Sequence, residues 1–278
     1  MYRIKSFKKK LWKSMTILVL CLLSVYLVGS VCFAAGVNFP EKEETIISPW
    51  APGGINDTLS RAIAMHSSQF LGKPVVVVNM PGGGSVVGNK FVERAKPDGY
   101  VLLMASITTV CTQYVSYTPN DIKNLTGVIQ ICECPPVLVV RADAPWKNMK
   151  EFIDYAKENP YTITCAHSGV GGSSHIYTIM LENKTGIKVK HVPYKGYAPS
   201  IVAVLGGHVN ATFVTPGCVR QYVEAGKLRV LGVASEERFY IFPNVPTFKE
   251  QGIDLVIEHW VGLMAPKDTP IERITILA

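Results

Sequence analysis

Ser48-Pro49-Trp50-Ala51-Pro52-Gly53-Gly54-Ile55-Asn56-Asp57-Thr58-Leu59-Ser60-Arg61 is the stretch whose reading decides the fold. The apolar run Thr45-Ile46-Ile47 before it reads as the end of a short buried strand. Behind it, Leu59, Ile63, His66 and Phe70 fall on one face at helical spacing. Two prolines and two glycines between them force a tight turn, and Asn56, Asp57 or Thr58 can cap the helix. Strand, glycine turn and capped helix leave several backbone N–H groups aimed at one spot, which attracts an anion such as a carboxylate or phosphate. The same pattern also serves as an ordinary tight connection in an α/β domain.

Outward from this loop the α/β rhythm continues. Val75–Asn79 reads as a buried β-branched strand, Met80-Pro81-Gly82-Gly83-Gly84-Ser85 as a second glycine turn, and Val87, Phe91 and Ala95 mark a helix. Tyr100–Ala105 is the next strand, giving β-α-β-α-β with connections short enough for a parallel sheet. Ser106-Ile107-Thr108-Thr109 follows at its carboxyl end, where open α/β sheets place ligands. Residues 112–126 read as polar and irregular, and Gly127–Ile131 and Val137–Val140 as strands.

After a helix over 148–158, Tyr161–Ala166 runs into His167-Ser168-Gly169-Val170-Gly171-Gly172-Ser173-Ser174-His175 and a helix over Ile176–Lys184. That repeats the opening arrangement about 115 residues later. Two such turns imply two similar lobes facing each other across a cleft, a favoured place for a ligand. Strands at Lys188–Val192, Ala211–Val214, Leu228–Ala234 and His259–Ala265 complete the pattern, with Thr215-Pro216-Gly217 opening a further helix.

The N-terminus stands apart from this pattern. Arg3, Lys5, Lys8, Lys9, Lys10 and Lys13 precede an apolar run from Met15 to Phe33 and the small-residue exit Ala34-Ala35-Gly36. Basic head, apolar middle and small exit make residues 1–35 a secretory signal peptide, and export is expected, to the periplasm or the cell surface. An uncleaved membrane anchor is the alternative reading of the same run. Of the 28 basic residues six lie in this leader, so the remainder carries 22 against 21 acidic, and the pI near 9.0 is no sign of nucleic-acid binding. Five cysteines follow the leader, Cys111, Cys132, Cys134, Cys165 and Cys218. Cys132-x-Cys134 lacks zinc-motif spacing, and an odd count does not suit a disulfide framework.

Catalysis finds little support. Gly171-Gly172-Ser173-Ser174 lacks the glycine two residues after the serine that a nucleophile elbow requires, since His175 stands there. His167, His175, His191, His208 and His259 show no metal-motif pairing, and neither glycine turn carries a P-loop or dinucleotide pattern. The rival that remains is an exported serine hydrolase using Ser173 with His175 or His167. Binding of a small anion fares better, because fixed neutral N–H donors joined by the hydroxyls of Ser106, Ser173 and Thr215 suit a carboxylate. Trp50 can line the pocket or pack in the core. Asp57 is carried among the ligand contacts, but its charge would repel an anion, so its expected role is to cap its helix or hold a neighbouring loop.

Further motifs extend this reading. They are Pro52-Gly53-Gly54-Ile55-Asn56-Asp57 with Arg61, Asn79-Met80-Pro81-Gly82-Gly83-Gly84 with Gly88, and Ala95-Lys96-Pro97-Asp98-Gly99-Tyr100. Gly169-Val170-Gly171-Gly172-Ser173, Val192-Pro193-Tyr194-Lys195-Gly196, Gly226-Lys227-Leu228-Arg229-Val230-Leu231, Pro243-Asn244-Val245-Pro246-Thr247 and Trp260-Val261-Gly262-Leu263 follow. In content and order these resemble the Bug-type extracytoplasmic solute receptors of tripartite tricarboxylate transporters. The resemblance implies a two-lobed α/β periplasmic-binding-protein fold of type II, each lobe a mostly parallel sheet flanked by helices. It implies capture of a small carboxylate and delivery to membrane permease subunits, without catalysis, cofactor or metal. A partner sensor kinase in place of the permease is the other reading.

In such receptors backbone groups and ordered waters hold the carboxylate, which falls here on Gly53, Gly54, Gly169, Gly172 and Ser173, with Trp50, Asp57, Ser106 and Thr215 as further candidates. The first lobe is expected over 36–138 and 236–278 and the second over 139–235, with the hinge through 136–142 and again near 232–240. The family usually continues beyond Ile276-Leu277-Ala278, so the first lobe is expected to be cut short at its C-terminus.

Overall fold

The computed structural model describes residues 38–115 and 121–278, so the expected signal peptide lies outside the described residues. Pro40–Ala278 forms one compact unit. No helix among the described residues is long and apolar enough to cross a membrane.

Two five-stranded sheets make up this unit. The first begins with β1 (Glu44–Ser48), which pairs in parallel with β2 (Val75–Asn79) and β3 (Val101–Ser106). Helices α1 (Ile55–Leu71) and α2 (Val86–Glu93) make the crossovers that parallel pairing requires, and α3 (Ile107–Val115) follows β3 directly. The sheet is completed by β4 (Leu125–Glu133) and, from far along the chain, β10 (Trp260–Pro266), which lies antiparallel between β3 and β4. Alternation decides what each strand buries: Leu102 and Met104 join Ile46 in one core, Leu103 and Ala105 join Ile47 in the other. Continuous apolar strands follow from a sheet covered on both faces.

The second sheet contains β5 (Val137–Arg141), β6 (Thr164–His167), β7 (Lys190–Pro193), β8 (Ala211–Val214) and β9 (Leu228–Val233), in the order β7-β6-β8-β5-β9. Helices α4 (Met149–Glu158), α5 (Ser173–Thr185), α6 (Tyr197–Leu205) and α7 (Pro216–Glu224) flank it, and α8 (Ile271–Leu277) follows β10. Leu138 and Val140 point into one core of this lobe, Val137 and Val139 into the other. The two-lobed α/β fold is the expected one, but each sheet is mixed rather than mostly parallel. The reason lies in the crossing strands: β5 pairs antiparallel with both β8 and β9, and β10 with both β3 and β4.

Three local readings need correction. Residues 107–115, read in part as irregular, form α3. Val75–Asn79, expected as a buried strand, lies at the sheet edge as β2 and is only half-buried. The face expected of α1 is buried only near its start, where Leu59 and Ile63 pack on the first sheet. Phe70 is 82% exposed, because the packing of the helix on the sheet runs through its first turns, where Asn56, Asp57 and Ser60 are buried.

Residues 236–257, expected with the first lobe, pack on the second sheet: Phe242 lies in one of its cores, and Phe248, Ile253, Leu255 and Ile257 lie in the other. The Phe248 ring rests where Gly232 of β9 has no side chain; a Cβ there would stand 2.6 Å from it. Thr247 bridges to Val233, and Gln251 Nε2 donates to the Leu231 carbonyl. The crossings therefore fall at 134–136 and 257–260, side by side, with Cys134 N–H donating to the His259 carbonyl at 2.8 Å. Phe248→Ala is expected to destabilise the protein by about 3–5 kcal/mol, read by denaturant unfolding, because the void lies inside the second lobe.

Candidate functional site

The loop from Ser48 to Arg61 is held by Asp57. Gly54, not a hydroxyl or amide side chain, is the N-cap of α1, and Asp57 lies in the first turn. Its carboxylate accepts from Gly53 N–H at 2.9 Å, from Asn79 Nδ2 at 2.9 Å and from Arg61 Nε at 3.2 Å. Asn79 also donates to the Trp50 carbonyl at 3.1 Å, so the end of β2 and the start of α1 clamp the loop between them. Burial alone would push the Asp57 carboxyl up, but the bonds from Arg61, Gly53 and Asn79 outweigh it and hold it below the usual range. Asp57 is thus spent on the loop, and it does not line the cavity described next.

Between the lobes lies a small, partly open cavity. The first lobe lines it with Trp50, Gly54, Ile55, Asn56 and Ser106, and the second with Ser168, Ser173 and Tyr197. His259, on the returning crossing, is the remaining wall. Four helix N-termini meet here, since Gly54 caps α1, Ser106 precedes α3, and Ser173 and Tyr197 begin α5 and α6. Each directs its positive end inward, contributing about 0.3–1 kcal/mol toward a bound anion, and more where partly buried. No Lys, Arg, Asp or Glu among the described residues lines the cavity. The space within it is about 10 Å³, near what one ordered water occupies.

The polar side chains around it are paired with one another. Ser173 Oγ and Tyr197 OH are 2.8 Å apart, Tyr177 OH and His259 Nδ1 2.7 Å, and Asn56 Nδ2 donates to the Met104 carbonyl at 2.9 Å. Burial raises the Tyr197 hydroxyl well above its ordinary value, so it is a neutral donor and a poor base. Burial likewise lowers His259 to about 4, leaving a neutral ring whose Nε2 has no hydrogen-bond partner among the described residues. His175 Nδ1 accepts from Gly171 N–H at 3.2 Å rather than serving Ser173.

Of the residues expected from sequence, the structure brings Trp50, Gly54, Ser106 and Ser173 together at the cavity. Gly53 and Thr215 line instead a separate open groove of about 450 Å³ between α1 and α7, and the Thr215 hydroxyl lies 3.3 Å from Cys218 Sγ. Gly169 and Gly172 do not line the cavity, and Gly172 N–H is committed to the Gly169 carbonyl at 2.9 Å. Their role is close approach. Gly84 of the first lobe has φ +65°, and a Cβ there would collide with the Val170 carbonyl, while Gly169 faces the Gly84 backbone. Nearby, Ala51 N–H donates to the Lys195 carbonyl at 3.2 Å, so the lobes meet backbone to backbone.

Five wall residues went unread in the sequence: Ile55, Asn56, Ser168, Tyr197 and His259. Ser168 and Tyr197 adjoin glycine turns that open helices, a signal that could have found them. His259 carries no local signal.

Two covered sheets whose helix N-termini converge on one cavity between them define a two-lobed solute-binding protein. The family model for the tripartite tricarboxylate transporter family receptor matches residues 59–277. The UPF0065 protein in the gbd 5′ region of Cupriavidus necator is 38% identical over 233 residues, which span 84% of this chain and 71% of that protein. Among solved structures, the periplasmic binding protein BugD superposes with a TM-score of 0.82 at 30% identity, covering 86% of this chain and 81% of that one. MatC from Rhodopseudomonas palustris, solved with bound malate, superposes with a TM-score of 0.81 at 28% identity, covering 86% of this chain and 83% of that one. The chain belongs to the tripartite tricarboxylate transporter receptor family, and it is a solute-binding receptor of the Bug type.

Gly84→Ala is expected to prop the lobes apart, lowering ligand affinity about tenfold or more while the chain stays folded; small-angle scattering and calorimetry read both. His259 sets a pH dependence. Its ring takes a proton near pH 6.5 when unfolded and near 4 when folded, so stability is complete above about 6.5 and is lost as pH falls toward 4. Between pH 7 and pH 4.5 the protein should lose on the order of 2–3 kcal/mol more than its His259→Gln variant, measured by denaturant unfolding at each pH.

Proposed function

We propose that this receptor is exported, captures a small carboxylate between its lobes, and presents it to the membrane subunits of a tripartite tricarboxylate transporter. One observation carries the reading: four helix N-termini and a set of neutral hydroxyls converge on a cavity with no Lys, Arg, Asp or Glu among the described residues of its wall. Such a wall suits a carboxylate, whose charge is met by dipoles and hydrogen bonds rather than by a counter-ion. A dicarboxylate of the malate class is the candidate ligand, since a neighbouring structure of this family holds malate.

The cavity has room for about one ordered water, so a four-carbon diacid enters only when the lobes part. The hinge is assigned to the paired crossings at 134–136 and 257–260, where the chain passes between the sheets and Cys134 N–H bonds the His259 carbonyl. Ser106, Ser168 and Ser173 are the hydroxyl donors in this reading, Gly54 and Asn56 mark the N-terminal turn that faces the ligand, and Trp50 and Tyr197 close over it. Ser173 pairs with the Tyr197 hydroxyl rather than with an imidazole, which favours a receptor over a hydrolase.

Calorimetry of the ligand-stripped protein against mono-, di- and tricarboxylates is expected to show saturable binding of one class. Ser173→Ala should weaken that binding by about 1 kcal/mol, roughly fivefold, as the loss of one hydrogen bond. Ester hydrolysis by the parent chain that vanishes in Ser173→Ala would overturn the reading.

A further inference from the structure

Three histidines far apart in sequence meet on one face of the second sheet. His167 ends β6 and His191 lies on the neighbouring edge strand β7; the parallel register sets Cys165 beside His191 and His167 beside Pro193. Alternation along both strands then turns the His167 and His191 rings to the same side. His175 reaches that side from the first turns of α5. The ring centroids are 4.4 Å apart for His167 and His175, 5.1 Å for His175 and His191, and 5.8 Å for His167 and His191. One nitrogen from each ring lies within 4.8 Å of the others.

The surroundings are those of ligands held in place. Glu182, two turns along α5 from His175, accepts from His191 Nε2 at 3.1 Å, and its other oxygen accepts Val189 N–H at 3.0 Å. A carboxylate on Nε2 fixes the proton there and leaves the Nδ1 lone pair of His191 for another partner. That Nδ1 is buried and has no hydrogen-bond partner among the described residues, and the same holds for Nδ1 of His167, whose side chain is 1% exposed. Two buried ring nitrogens without partners are costly unless something accepts their lone pairs. His175 and His191 are half-buried, which leaves a way in from solvent at the sheet edge.

We infer that His167, His175 and His191 form a three-imidazole site for a divalent first-row transition ion of the zinc class, with Glu182 orienting His191. Imidazoles suit zinc, copper, nickel and cobalt, and three protein ligands leave a fourth position for water. Nitrogens around a tetrahedral zinc sit about 3.4 Å from one another, so the three side chains must draw in by about an ångström on binding. His175 is the ring that gives most: its Nδ1 lone pair can serve Gly171 N–H or the ion, but not both, and its present bond of 3.2 Å is a long one. The site is separate from the carboxylate cavity and does not depend on that reading.

Chelator-treated full-length protein titrated with zinc chloride in a calorimeter is expected to take up one ion with micromolar or tighter affinity. Cobalt chloride should give the visible absorption of a four-coordinate nitrogen site. His175→Ala, on a half-exposed ring, should weaken zinc binding about tenfold or more, and Glu182→Gln by about 10–100-fold. His208→Ala, on an exposed histidine outside the cluster, should leave it unchanged, and circular dichroism confirms that each variant is folded. Absence of saturable uptake would overturn the inference. So would uptake unaltered in the folded His175→Ala variant, or uptake equally reduced in His208→Ala.

Discussion

The molecule depends on how closely two peptide backbones can approach across its cleft. Gly84 has a left-handed φ and stands where any side chain would strike the Val170 carbonyl, and Gly169 faces it from the other lobe. Ala51 and Lys195 share a backbone hydrogen bond close by. With side chains at these points the lobes would stand farther apart, and the helix N-termini of one would no longer face those of the other. The glycines at these turns therefore act through what they lack. Backbone amides alone do not account for them, since the Gly172 N–H is already given to Gly169.

Once the lobes meet, electrostatics is supplied without ionised side chains. Four helix starts surround a space lined by hydroxyls, a neutral histidine and two aromatic rings. The charged groups near the first loop are occupied elsewhere: Asp57 and Arg61 neutralise each other and tie Gly53 and Asn79 into one clamp. Asp57 thereby shapes a site that its own charge would spoil. His259 belongs to the same economy, since its burial keeps the ring uncharged and its Nδ1 is shared with Tyr177 of the second lobe.

The second lobe carries more of the chain than its sheet alone suggests. Residues 242–257 cover its cores after β9, with Phe248 seated on Gly232 and Gln251 bonded to the Leu231 carbonyl and to Met149 N–H. Only then does the chain return as β10, so the two crossings lie side by side, near His259. The same lobe gathers His167, His175 and His191 beside the loop that supplies Ser168 and Ser173 to the cavity.

Much of this was legible in the residues themselves. Apolar runs such as Thr45-Ile46-Ile47 and Val137–Val140 can only be buried strands, and glycine turns followed by hydroxyl-bearing helix starts mark anion-ready ends, so the α/β class and the residues Trp50, Gly54, Ser106 and Ser173 could be read directly. Local pattern reports what a segment buries, not which sheet it buries it against. For that reason the placement of 236–257, the antiparallel seat of β10 and the role of His259 were settled only by tertiary packing. Gly53, Thr215, Gly169 and Gly172 were singled out correctly as turn residues, yet the direction in which each turn faces is set by the neighbouring lobe. The histidine cluster is the sharpest case: His167, His175 and His191 lie on three different elements, and only the parallel pairing of β6 with β7 beside α5 brings the three rings together.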